Sequence, residues 1–502
     1  MQKRNISLLC FLLSFSLSSW AQIVHTTVEQ GEIEGVEEHG FGVFKAIPYA
    51  EAPVGKLRWK APVPKKKWSG VYRTTDFAPM PIQGGDHSKQ SEDCLYLSVQ
   101  TPAKSSEERL PVFVMIHGGG FSGGHYAGTM DCFAQEGIVY CSIEYRLGVL
   151  GFLSLPELSK ENNGLSGNYG ILDQILALRW IHDNIAAFGG DPSKVTICGE
   201  SAGGISTSIL SASPLCKGLF RAAISESGSS FWPVVEERKG NLGMLNIPNA
   251  EKMGVEFMKS KGCKNLKELR RLDVAKLQEG DYMGKFWPIV DGYSIADDQY
   301  KLYTSGKYND VDILIGSNSD EGYGFTNKCS VGQYQQQIRQ TFGELSDRVL
   351  DVYPATNEQD THYALADIFR DGAFAWGTYT WANLQRRTGH GKVYMYYFDQ
   401  QTESWSKPDV RGAVHVEEMP YIYKWNWGKF SDTEQHMSDI MHMYWINFTK
   451  TGDPNGENLP FWKIYEEGKP TVMIMKDGFH LDYIPNQTQL NLFEDIFQAM
   501  RK

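Results

Sequence analysis

The sequence predicts an α/β fold, a mostly parallel central sheet flanked by helices and enlarged by large insertions. Three observations predict it. Short apolar runs rich in β-branched and aromatic residues recur along the chain, each ending in a polar or glycine-rich turn. A stretch of helical period lies between two of them, the alternation that builds a parallel sheet. The chemically unusual residues fall directly after the runs, where open α/β sheets place their ligands.

The runs Val112 to Ile116, Ile138 to Ile143, Val195 to Cys198, Val311 to Ile315 and Val393 to Phe398 have the length and composition of buried strands. Between the second and third, Ile171, Leu172, Ile175, Leu176, Ile181 and Ile185 recur at helical spacing. Gly189-Gly190 and Asp191-Pro192 end that helix near Phe188. Ile205 to Leu210 reads as a further helix.

With 502 residues, 41% of them apolar, 13% aromatic and 22% charged, the chain has ample material for a buried core. No internal repeat, low-complexity tract or long Pro/Gly/Ser linker divides it, so residues 22–502 are expected to form one domain. A net charge of -11 argues against nucleic acid as a partner, since that affinity needs clustered Lys and Arg. The one compact basic cluster, Lys65 to Lys67, reads as a solvated loop.

Residues 1–21 differ in character. Lys3 and Arg4 precede an apolar stretch from Ile6 to Leu17, followed by Ser19-Trp20-Ala21. That is the pattern of a secretory signal peptide cleaved after Ala21, and the stretch falls short of the ~20 residues of a spanning helix. A secreted or periplasmic protein with no membrane span in its mature chain is expected. Seven cysteines then remain, an odd number that cannot all pair within the chain. There is no Cys-x-x-Cys pair and no credible zinc site, so neither metal nor cofactor is expected.

After the run Val195 to Cys198 comes Gly199-Glu200-Ser201-Ala202-Gly203-Gly204, and then the helix. This is a Gly-x-Ser-x-Gly turn, in which glycines relieve the clash of a sharp strand-to-helix corner that holds the serine up as a nucleophile. By chance the pattern arises in roughly one chain of this length in five, so its setting carries the weight. His117-Gly118-Gly119-Gly120 directly follows the run Val112 to Ile116. A phosphate loop would end in Gly-Lys-Ser/Thr, which is absent. The backbone N–H groups of Gly118, Gly119 and Ala202 are the candidates for an oxyanion hole.

A serine nucleophile needs a histidine base and a carboxylate that fixes the imidazole tautomer, in the chain order Ser, acid, His. The run Val311 to Ile315 leads into Gly316-Ser317-Asn318-Ser319-Asp320-Glu321-Gly322, where two adjacent carboxylates stand at a strand end. The residues alone do not separate Asp320 from Glu321. His415, in Gly412-Ala413-Val414-His415, follows the run Val393 to Phe398, with His362, His390, His436, His442 and His480 as rivals by order. A metal reading of His415 with Glu418 lacks a third ligand.

These residues together resemble the type-B carboxylesterase and lipase family, which includes cholinesterases and bacterial para-nitrobenzyl esterases. The resemblance covers nearly the whole mature chain. It is carried by Phe44 to Ala50 with Pro53 to Arg58, by Glu92-Asp93-Cys94-Leu95-Tyr96-Leu97, and by Tyr145-Arg146-Leu147-Gly148. Gly167-Asn168-Tyr169-Gly170, Phe188 to Pro192, and Trp445 with Gly452-Asp453-Pro454-Asn455 extend it. Ala46 departs from the family's usual glycine.

The resemblance implies the α/β-hydrolase fold, with Ser201 as nucleophile, Glu321 as acid and His415 as base. It further implies that Glu200 and Ser227 support that triad by hydrogen bonding. Two family disulfides are expected to be missing. Met80 stands where a partner of Cys94 would be, and Arg270 and Arg271 where a partner of Cys263 would be. No Trp lies between Met80 and Cys94, so the aromatic platform for a choline ester is absent there. The expected activity is that of a serine carboxylesterase working through an acyl-enzyme on a small-molecule ester. The alternative is an inactive binding or adhesion homologue, against which all three triad positions are filled. Phe231 and Trp232 are candidates for the acyl pocket, with core packing as the competing role.

Overall fold

The computed structural model describes residues 22–126, 128–238, 242–280, 284–425 and 429–502. The expected leader lies outside them. Eleven strands form the main sheet: β1 (Val36–Glu38), β2 (Phe41–Pro48), β3 (Tyr96–Thr101), β4 (Leu110–Ile116), β5 (Val139–Ile143) and β6 (Gly190–Glu200). The others are β7 (Ala222–Glu226), β8 (Asp312–Asn318), β9 (Val393–Phe398), β10 (Thr471–Met475) and β11 (Phe479–Tyr483). Their spatial order is β11-β10-β9-β8-β7-β6-β4-β5-β3-β2-β1. The block from β10 to β5 is parallel throughout, and the strands at either end pair antiparallel.

The parallel strands lie between two layers of packing, which is why they read as unbroken apolar runs rather than as alternation. Val112, Val114 and Ile116 of β4 join one core, while Phe113 and Met115 join the other. Helix α1 (Tyr169–Asn184) packs Ile171, Ile175 and Leu178 into the first core. A later helix over Asp432–Thr451 packs Met441, Tyr444 and Trp445 into the second. Among the described residues no helix is long and apolar enough to cross a membrane.

The expected strands are present with shifted edges. The one expected over Val195 to Cys198 begins at Gly190, pairs there with Leu110 and slips register before Val195, so Asp191-Pro192 sits in an irregular strand start. The one expected to stop at Ile315 runs on to Asn318, because polar Ser317 and Asn318 pair with Tyr397 and Phe398 of β9. Such tertiary pairing leaves no local mark in sequence.

All seven cysteines of the described chain are free, Cys94 and Cys263 among them. Guanidinium groups tie the same region instead. Arg58 is bidentate to Glu92 at 2.6 and 2.5 Å, and its Nη1 donates to the carbonyls of Arg270 and Leu272. Arg270 returns a bond from Nε to the Arg58 carbonyl and grips Glu161 at 2.9 and 2.7 Å.

Candidate active site

The parallel block turns over at β4, whose neighbours β5 and β6 come later in the chain on opposite sides. A crevice opens at such a point beyond the carboxyl ends of the strands. Ser201 stands there, between the last residue of β6 and the first of helix α2 (Ala202–Ala212), with φ 57° and ψ −121°. A non-glycine residue in such backbone geometry costs on the order of 1–3 kcal/mol and persists only where its surroundings impose it. They do so here: Ser201 N donates to the Glu226 carbonyl at 2.9 Å, and Ile205 N donates to the Ser201 carbonyl at 2.8 Å. Gly203 lets the helix press on β4, since a Cβ there would lie 2.1 Å from the Ile116 carbonyl oxygen.

The loop after β4 runs directly beside this turn. A Cβ on Gly118 would sit 2.6 Å from the Glu200 carbonyl oxygen and 3.2 Å from Ser201 Cβ. Among the described residues the N–H groups of Gly118 and Gly119 donate to no protein acceptor. Ala202, in the first turn of α2, has no helical acceptor for its own N–H. His117 is engaged by other partners. Its ring stacks on Tyr145 at 4.3 Å, and burial pulls it below the usual histidine range against the opposing effect of Glu144.

Glu321 lies three residues beyond the end of β8 and is fully buried. Its Oε1 accepts from Asn318 N at 2.7 Å and from Ser227 Oγ at 2.5 Å, while Oε2 meets His415 Nδ1 at 2.5 Å. Asp320 turns the other way, accepting from Arg411 N at 3.0 Å and lying 3.5 Å from its guanidinium. The two adjacent carboxylates thus have separate partners. Nε2 of His415 lies 3.1 Å from Glu200 Oε1, too oblique for a hydrogen bond. No hydrogen bond joins Ser201 Oγ to His415 among the described residues; such contacts are often loose without substrate.

Burial pushes the Glu200 carboxyl well above the usual range, and the nearby carboxylates Glu321 and Glu226 push it the same way. Glu418 is raised by burial and then by Glu321, Glu200 and Glu226, although it accepts from Asn318 Nδ2 at 2.5 Å. Glu226, buried below Ser201, is pushed up to about 7 by burial, opposed by bonds from Tyr423, Trp445 and Cys198. Burial and mutual repulsion thus favour the protonated form of the three carboxyls around the Glu321–His415 contact.

On its open side His415 is bracketed by aromatic rings. Phe374 lies nearly parallel to it at 4.8 Å and 19°, and Phe325 meets it edge-on at 5.2 Å. Phe325 is 49% exposed and stacks on Phe369. With Tyr323, Trp405, Val410 and Val414 it walls a cleft of about 600 Å³ that reaches His415. Phe231 and Trp232 do not line this cleft. Phe231 is buried against Tyr303 and Trp381, and Trp232 donates Nε1 to the Gly372 carbonyl at 3.0 Å.

Sequence reasoning gave no place in the site to Asn318, Glu226, Phe325 or Phe374, and weighed Glu418 only as a metal ligand. Glu418 carried a usable signal, a carboxylate three residues after His415 at the entry to a short helix, Met419–Tyr423. Phe374 carried none. No group of three or more His, Cys, Asp or Glu among the described residues is arranged to hold a metal.

A strained serine turn, free backbone donors beside it, and a buried carboxylate against a histidine define a hydrolase-type site on an α/β sheet. Comparison with known proteins identifies its kind. The model of the carboxylesterase family matches residues 21–493. The chain is 33% identical to the fumonisin B1 esterase of Sphingopyxis macrogoltabida, over 87% of this chain and 84% of that protein. It is 32% identical to the para-nitrobenzyl esterase of Bacillus subtilis (strain 168), over 89% and 94% respectively. A solved PNB esterase structure superposes with a TM-score of 0.81 at 31% identity, covering 94% of this chain and all of the other. The chain belongs to the carboxylesterase family. It is a carboxylic ester hydrolase with the α/β-hydrolase fold, and its substrate is an ester.

Proposed function

We propose that the protein cleaves carboxylic esters through an acyl-enzyme on Ser201, with His415 as general base and Glu321 as its orienting acid. His415 Nε2 takes the Ser201 hydroxyl proton as Oγ bonds to the ester carbonyl carbon. The carbonyl oxygen becomes an oxyanion held by the N–H groups of Gly118, Gly119 and Ala202, where one donor contributes roughly 3–4 kcal/mol. His415 then passes its proton to the departing alcohol, leaving an acyl group on Ser201. Water, deprotonated by His415, attacks that ester and releases the acid. Glu200 and Ser227 support the arrangement, Ser227 by its bond to Glu321.

The observation that carries this reading is the 2.5 Å contact between Glu321 Oε2 and His415 Nδ1, which fixes one tautomer and turns Nε2 toward the Ser201 turn. We also read residues 22–502 as one exported domain, freed of its leader after Ala21. Amino-terminal sequencing of the secreted protein tests that.

Ser201→Ala is the direct test. The variant is expected to fold with an unchanged thermal midpoint, to lose turnover of para-nitrophenyl acetate, and to escape labelling by a fluorophosphonate that marks the wild type. A well-folded wild type that neither turns over the ester nor takes the label would sink the reading.

A further inference from the structure

Helix α3 (Glu358–Arg370) and helix α4 (Trp376–Thr388) are joined without a break by a π-turn, Asp371–Ala375. A π-turn adds a residue to the helical circuit and occurs often at functional sites. This one touches both the acid loop and the histidine. At its entrance Arg370 donates Nη1 to the Ser319 carbonyl at 2.9 Å, two residues before Glu321. Its Nε and Nη2 grip Asp371 at 2.9 and 2.8 Å. Near its exit Phe374 lies flat on the His415 ring. Between them the Gly372 carbonyl accepts the Trp232 indole N–H, and buried Asp371 also accepts from Tyr353 Oη and Asn486 Nδ2.

We propose that Phe374 is a positioning residue for His415, and that the π-turn carrying it, pinned by Trp232 and Arg370, sets the imidazole's register against the acid loop. The inference rests on the reading of His415 as the base. An imidazole tethered at Nδ1 alone can still swing about that contact and carry Nε2 off line. A flat ring on one face leaves it a single plane, and the negative face of a benzene ring suits the imidazolium formed during the reaction. In an α-helix each residue advances by about 100°, so without the extra residue Phe374 would face elsewhere.

The test is a double-mutant cycle on the full chain with para-nitrophenyl acetate, reading kcat, KM, the rate of fluorophosphonate inactivation and the thermal midpoint. F374L is expected to lower kcat and the inactivation rate together by about 10- to 30-fold with KM within about twofold, as misplacement of a reacting group does. F374Y, which keeps a ring on the imidazole, recovers most of that loss. W232F lowers kcat by roughly 3- to 5-fold alone and causes no further fall in W232F/F374L, because it acts through the same ring.

The proposal is overturned if F374L stays within twofold of the wild type, if the losses from W232F and F374L multiply, or if F374Y fails as badly as F374L with a lowered thermal midpoint. Ser201→Ala run alongside separates the two levels. If it is inactive while F374L is unaffected, only the positioning role falls; if it remains active, the reading beneath has failed.

Discussion

Oε1 of Glu200 lies 3.1 Å from Nε2 of His415, on the residue that precedes Ser201 in the chain. Burial, Glu321 and Glu226 all favour its protonated form, which suits a neutral neighbour of the histidine better than a second counter-ion. A neutral isostere should then serve nearly as well. Glu200→Gln is expected to keep kcat at pH 7 within about tenfold of the wild type, less than the ~10²-fold or more that a lost charged partner costs. A loss beyond a hundredfold would mean that the carboxylate is ionised.

Glu321 leaves no such latitude. Its Oε1 is occupied by two donors, Asn318 N and Ser227 Oγ, so the amide nitrogen of a Glu321→Gln variant must take the Oε2 position against His415 Nδ1. That nitrogen donates, Nδ1 is forced to accept, and the ring is held in the wrong tautomer. The expected loss in kcat is ~10³–10⁴-fold with the fold retained. Asp320→Asn, beside it in sequence but bonded to Arg411, is expected to fall by less than about fivefold. Steady-state kinetics of the two variants checks the assignment, and the reverse ranking would overturn it.

The parallel sheet was legible because its central strands are buried on both faces and advertise themselves as apolar runs, and the strand ends were legible because glycine and charge collect there. The outer strands were not. The charged and polar residues of Val36–Glu38 and Phe479–Tyr483 pair at sheet edges where one side meets water. Chain order limited the acid to Asp320 or Glu321 and left His415 among several rivals. The family resemblance, not any local pattern, singled out Glu321 and His415, and the structure adds that the two adjacent carboxylates turn to different partners. Trp232 illustrates the remaining limit. Its place after the Glu226 to Gly228 turn suggested the acyl pocket, and its indole N–H bonds the Gly372 carbonyl, a partner 140 positions away that no local pattern records.

Glu226 makes stability depend on pH in a direction unusual for a carboxylate. Its folded value of about 7 lies above the ~4.3 of an exposed glutamate, so between those values the folded state holds a proton that the unfolded state has released. Stability from this group is fully present below about pH 4.3 and is lost as pH rises through about 7, by roughly 3–4 kcal/mol in all. Oε2 is buried without a hydrogen-bond partner, whereas Oε1 accepts from Tyr423 and Trp445, so Oε2 is the oxygen left free to carry the proton. Glu226→Gln, permanently neutral, is expected to flatten this slope and raise the thermal midpoint by a few degrees at pH 8.5 with little gain at pH 5. Unfolding curves at the two pH values test it, and an equal shift at both would remove Glu226 as the source.

The guanidinium contacts of Arg58 and Arg270 occupy the region where the two family disulfides were expected to be missing, and they change which perturbation the fold resists. With every described cysteine free, a strong reductant is expected to leave the thermal midpoint unmoved. Arg58 is 7% exposed and is shared among the Glu92 carboxylate and two backbone carbonyls. Arg58→Met would leave the half-buried Glu92 carboxylate without its counter-charge and both carbonyls without this donor, a loss below the about 3–5 kcal/mol of a fully buried pair. Adding Glu92→Gln removes the stranded charge, so the double variant should be more stable than Arg58→Met alone. Denaturant midpoints of the wild type, both single variants and the double variant measure this. Additive losses would show that Arg58 and Glu92 stabilise the fold independently rather than as a pair.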